Sequence, residues 1–127
     1  LIFFYRSERI ISVILFGGAV MKISVRTMEN CQIFDIDGDI TFDETQDLEN
    51  FVFSNISARY SKVIMNFKGV PYLNSSSLGS LVRILQGLKT KKTALYLMNI
   101  NKDITNLFSI TGMNRYFTFI TDEMQAV

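Results

Sequence analysis

Three consecutive hydroxyls, Ser75-Ser76-Ser77, follow Asn74 at a point where the chain changes its hydrophobic period. Upstream, Val63-Ile64-Met65-Asn66-Phe67 is short, apolar and partly β-branched, as a buried strand should be. Downstream, Leu78, Leu81, Val82, Leu85 and Leu88 recur at three- and four-residue steps, the stripe of an amphipathic helix. Polar side chains at a helix start can accept from the free N–H groups of its first turn. The partial positive charge there also favours a negative group such as a phosphate. A phosphoacceptor hydroxyl is therefore the chemistry on offer. The plain alternative is that Asn74 and the serines only cap the helix, as such residues ordinarily do.

Other chemistry finds little support. Asp43, Glu44 and Asp47 resemble a catalytic or metal-binding cluster, but acidic residues are expected where a helix begins. The chain has no histidine, which excludes His-ligated metal sites and His-based triads. Carboxylates alone could still hold a hard cation or do acid–base work. Neither the Rossmann nor the P-loop glycine fingerprint is present. Catalytic residues, metal ligands and a cofactor are thus not expected, and the reading is of a non-enzyme.

Composition sets the frame. The 127 residues suit one domain with a proper core, and 48% hydrophobic content excludes a disordered chain. Thirteen Lys and Arg nearly balance twelve Asp and Glu, so there is no general basic field for nucleic acid. A single cysteine, Cys31, cannot form an internal disulfide and fits a reducing compartment, hence a cytoplasmic expectation.

The elements that position the serines can be read in order. Lys22 to Met28 alternates polar and apolar residues as a half-buried strand, Glu29-Asn30 turns, and Cys31 to Ile36 pairs back antiparallel. Asp37-Gly38-Asp39 ends that strand. Thr41-Phe42-Asp43-Glu44 reads as a capping box opening a helix that buries Leu48, Phe51, Val52 and Ile56. The strand Val63–Phe67 and the helix ending near Gly87 follow. Lys89, Lys91 and Lys92 read as a solvated face at that helix end. Next come a strand over Ala94–Ile100 and a helix capped by Asn101, with Ile104, Leu107 and Phe108 inward and Gly112 as its stop. A last strand covers Tyr116–Ile120, and Asp122-Glu123 opens a short terminal helix. This predicts an α/β fold: a mixed sheet with an N-terminal hairpin, then βαβ crossovers, plus an N-terminal extension.

Residues 1–20 do not share the pattern. Ile10 to Met21 is apolar but shorter than the roughly 20 residues of a membrane span. These residues are read as an extension outside the core, packed loosely or as an added helix, with residues 21–127 as the domain. A secretory signal or membrane stub and an integral extra strand are the alternatives.

From Met21 onward the chain resembles a STAS domain of the anti-sigma factor antagonist type. Asp37-Gly38-Asp39-Ile40-Thr41 is similar to the Gly-Asp-Ile or Gly-Glu-Leu step before that family's first helix. Leu73-Asn74-Ser75-Ser76-Ser77-Leu78-Gly79 resembles its phosphorylation motif, usually Asp-Ser-Ser/Ala-Gly-Leu-Gly. Phe108 to Met113, with Phe117 beyond, is similar to its third helix and the Thr/Ser-Gly-Leu step that ends it. The resemblance implies partner switching: the unphosphorylated protein captures an anti-sigma factor serine kinase, which holds the ATP. That kinase phosphorylates one serine and releases the protein, and a phosphatase resets it. The phosphoserine would be Ser76, with Asn74 in place of the family's aspartate and Ser77 in place of its first glycine. Asn74, Ser75, Ser77, Gly79, Asp39 and Thr41 would surround it on the partner-binding surface. No nucleic acid or membrane contact is implied. The alternative is a STAS scaffold or sensor subunit without phosphorylation, of the stressosome or lipid-transport kind.

Overall fold

The computed structural model describes the backbone of residues 2–6, 9–16, 19–40 and 45–127, and the side chains of 21–40 and 45–127. Seven strands lie in sequence order across one sheet: β1 (Ile2–Arg6), β2 (Arg9–Phe16), β3 (Ala19–Met28), β4 (Cys31–Asp37), β5 (Lys62–Gly69), β6 (Ala94–Met98) and β7 (Thr118–Ile120). The first four run antiparallel; β4 to β7 run parallel. Three helices make the crossovers: α1 (Thr45–Asn55), α2 (Ser75–Thr90) and α3 (Lys102–Thr111).

The hairpin, the crossovers and the mixed sheet match the expectation from period and turn signals. Met28 pairs Cys31 across the β3–β4 turn, where Glu29 takes φ +56°. Gly112 ends α3 at φ +74°, a left-handed cap that glycine adopts without Cβ strain. The edges of other elements shift: α2 runs on to Thr90 and the last strand starts only at Thr118. The acids at Asp122-Glu123 open a single 3-10 turn, Glu123–Gln125, capped by Asp122. The capping box proposed for Thr41–Glu44 lies outside the described residues.

The N-terminal segment differs from the loose or helical packing expected. Ile2–Arg6 and Arg9–Phe16 are strands, and β2 pairs along β3 from Ile10↔Val25 to Phe16↔Ala19. The apolar run Ile10–Phe16 fits a helix or a strand by composition alone; pairing to β3 decides it.

Two apolar clusters flank the sheet. The larger joins Ile23, Val25, Phe34, Met65 and Leu97 of the strands to Leu48, Phe51, Leu81, Leu88 and Phe108 of the helices. The smaller lies on the opposite face and contains Cys31, Ile33, Ile64, Met98 and Ile120, with Ala126 from the C-terminal turn. That turn is tied down by polar contacts as well. Arg26 binds Asp35 (2.7 Å) and Glu123 (2.6 Å), and Lys62 donates to the Ala126 carbonyl.

Candidate functional site

The carboxyl ends of β4, β5 and β6 face one end of the sheet, where open α/β folds gather their functional loops. Backbone contacts lock the first two loops together. Gly38, at φ +109°, donates its N–H to the Gly69 carbonyl (2.9 Å). A Cβ on Gly69 would sit 2.7 Å from Asp37 Oδ1 and 3.1 Å from its Cα, so only glycine fits this approach without displacement. Ile40 and Leu73 then form an isolated parallel bridge. The third loop joins through Asn101, whose amide donates to the Pro71 carbonyl (3.0 Å) while its oxygen caps α3 at Ile104 N–H (2.9 Å).

Helix α2 begins at this junction. Asn74 is its N-cap, in extended backbone, and its Oδ1 accepts from the Ser77 N–H (2.9 Å). The Ser77 hydroxyl donates to the Ile40 carbonyl (2.8 Å), with Asn74 Oδ1 2.9 Å away sharing the same proton. Ser77 is completely buried. It therefore cannot contribute its side chain to a partner surface, and its place among the expected binding residues is corrected: it is a tether between loops. Its helical backbone has no positive φ, so no glycine geometry is required there.

The remaining residues are accessible. Ser75 and Asp39 are exposed; Asn74, Ser76 and Gly79 are half-buried. Neither the Ser75 nor the Ser76 hydroxyl makes a hydrogen bond among the described residues. Thr41 lies outside the described residues. An apolar rim adjoins the cluster: Tyr72, 59% exposed, and Ile110, 83% exposed, border a groove of about 180 Å³ floored by Leu73 and Ile104.

One feature of the site had no motif to announce it. Glu49 of α1 is nearly buried yet charged, gripped by a guanidinium fork from Arg83 of α2 (Nε to Oε1 2.9 Å, Nη2 to Oε2 2.8 Å). Ser80, also buried, donates its hydroxyl to Glu49 Oε2 (2.9 Å) and lies 3.2 Å from the Thr45 carbonyl. The Arg83 hydrogen bonds hold the Glu49 carboxyl below its ordinary range, against the opposing effect of burial. The available signal was an acid at position 49, beside the apolar face marked by Leu48 and Val52, but its partner stands 34 residues away.

Among the described residues no group of three or more His, Cys, Asp or Glu is placed to hold a metal ion. Nor is any helix among them long and apolar enough to cross a membrane. What this end of the molecule offers chemically is an accessible serine hydroxyl on a rigid turn, bordered by an acid, an amide and an apolar groove.

Comparison with known proteins follows the same lines. The family model described as STAS domain matches residues 22–126. The fold is similar to that of an anti-sigma factor antagonist from Mycobacterium paratuberculosis, with TM-score 0.72 and 14% identity over 84% of this chain and 90% of that one. It is also similar to unphosphorylated SpoIIAA, an anti-sigma factor antagonist of Bacillus, with TM-score 0.68 and 14% identity over 82% and 92% of the two chains. A sulfate transporter family protein from Wolinella succinogenes aligns with TM-score 0.66 and 16% identity over 76% and 82%. At these identities the likeness establishes the fold.

Proposed function

We propose that this chain, which belongs to the STAS domain family, is an anti-sigma factor antagonist whose docking face is centred on Ser76. The observation that carries this reading is the state of the Ser76 hydroxyl. It is half-buried in the first turn of α2, without a hydrogen-bond partner among the described residues, between a cap and a buried serine that hold its backbone. The fold likeness to SpoIIAA, which is known in a phosphorylated form, supports it.

In this mechanism the unphosphorylated face captures an anti-sigma factor serine kinase. Asn74, Ser75 and Asp39 provide the polar contacts, Gly79 leaves room for close approach, and the Tyr72–Ile110 groove offers apolar area. The kinase binds the ATP and transfers its terminal phosphoryl group to Ser76 Oγ; the Oγ–P bond forms as the bond to the bridging oxygen breaks, releasing ADP and the hydroxyl proton. The product gains about 1.5 to 2 negative charges. A helix N-terminus tolerates that charge, so the fold survives while the interface is lost to desolvation and repulsion. A phosphatase restores the binding form.

The test is incubation with a cognate serine-kinase anti-sigma factor and ATP, followed by mass spectrometry. One phosphate on Ser76 with loss of the complex is expected. Phosphate confined to Ser75, or a complex indifferent to phosphorylation, overturns the reading. A scaffold or sensor role without phosphorylation is the second reading. It is favoured by Asn74, whose amide oxygen is committed to Ser77 rather than to a kinase, and by the fold likeness to a sulfate transporter family protein.

A further inference from the structure

Ser76, Gly79, Ser80 and Arg83 stand at steps of three, four and seven residues on α2, which places them along one side of the helix. Long helical side chains lean toward the N-terminus. Arg83 does so here: its Nη1 lies 3.6 Å from where a Gly79 Cβ would be. Its Nε and Nη2 are spent on Glu49, while Nη1 makes no hydrogen bond among the described residues. The guanidinium plane therefore lies at the level of Gly79 and Ser80, one turn below Ser76, with its unused N–H edge over the residue that has no side chain to block it.

We infer that Arg83 is the intramolecular receptor for a phosphate on Ser76, reaching it through Nη1 across the gap left by Gly79. This rests on the reading of Ser76 as phosphoacceptor. Ser76 and Gly79 are three apart, with Cβ positions about 5–6 Å from each other, and Arg83 Nη1 already lies 3.6 Å from the Gly79 Cβ position, so a phosphoryl group on Ser76 and the guanidinium can meet over Gly79. Glu49 is not orphaned by the sharing, because Ser80 keeps its hydroxyl on Oε2. Of the charged groups near this turn, Arg83 is paired with Glu49 of α1, and Asp39 precedes Ile40, which bridges to Leu73 just before α2. The phosphoserine thus folds down onto its own helix, and the phosphorylated form presents one defined surface to partner and phosphatase.

The experiment installs phosphoserine at position 76 during translation, which makes it independent of any kinase, and follows the second ionisation of the phosphate by phosphorus NMR. A neighbouring guanidinium favours the dianion. Arg83→Gln should therefore raise that pKa by about 1 unit relative to the parent, with Arg83→Lys intermediate. Equal titration in all three overturns the inference. Should the Gln variant fail to fold, Arg83→Lys and a bulky Gly79→Leu, which fills the gap but leaves the Glu49 fork its partner, decide by the same readout. A kinase that ignores Ser76 would sink the functional reading and leave this result standing.

Discussion

The Ser77 hydroxyl sits 2.8 Å from the carbonyl oxygen of Ile40, a residue 37 positions earlier. This single bond crosses from the first turn of α2 to the turn after β4, and both ends are buried. Ser77→Ala should cost about 1–3 kcal/mol by leaving a buried carbonyl short of its donor. Ser77→Gly should cost somewhat more, since glycine adds about 1 kcal/mol of helix penalty. Urea denaturation of both variants checks this; a Ser77→Gly protein as stable as the parent would show that the hydroxyl contributes nothing.

Acid should weaken the α1–α2 contact. The Glu49 carboxyl is held low by Arg83 and Ser80 in the folded state, so its stabilisation is complete above the unfolded carboxylate pKa of about 4.3. It is lost as pH falls through that value toward the folded one. Glu123, lowered by its hydrogen bond from Arg26, adds a contribution of the same sign. Urea midpoints measured from neutral pH downward should drop less steeply in Glu49→Gln than in the parent. Parallel curves would refute the coupling.

At Ser76 a carboxylate should be accepted by the fold and rejected by the partner. Ser76→Asp gains roughly 0.3–1 kcal/mol from the helix dipole. Calorimetric titration against the kinase should show weakened binding for Ser76→Asp and retained binding for Ser76→Ala. Loss of binding in Ser76→Ala would mean that the hydroxyl itself makes an essential contact.

Gly87 tests helix packing. A Cβ there would lie 2.5 Å from Phe53 Cζ, across the α1–α2 interface. Replacing a helical glycine by alanine ordinarily gains about 1 kcal/mol. For Gly87→Ala that gain should vanish into displacement of the Phe53 ring, and a melting temperature at or below the parent's is expected.

These particulars show where the sequence is informative. Asn74, Asn101 and Gly112 declare helix ends because their chemistry is local: a cap acts within three residues. The accessible positions of Ser75 and Ser76 beside the Asp39 turn follow from that local grammar plus the right-handed crossover. Ser77 does not. An N-terminal serine facing solvent and one facing Ile40 look identical in sequence, since the acceptor arrives from a different crossover. The Glu49–Arg83 fork is hidden for the same reason. The N-terminal strands are ambiguous in another way: a seven-residue apolar run carries no decisive period, and the partner strand supplies the answer.

We expect a protein beginning at Met21 to remain folded, because the STAS family pattern is complete within residues 22–126. Its thermal unfolding should stay cooperative; a broad, non-cooperative melt would assign the first two strands to the core.

The hairpin of β1 and β2 has a colloidal meaning as well. Strand β3 has hydrogen-bonded neighbours on both sides, so its outer row of N–H and C=O groups is not open to another molecule. Trimming the chain at Met21 would bare that row, and a bare row of this kind templates pairing between copies. Light scattering of the trimmed protein should therefore rise with concentration faster than that of the parent. What would hold it back is Lys22, since Arg26, the other positive charge on β3, is paired with Asp35 and Glu123; the repulsion between copies weakens as salt is added.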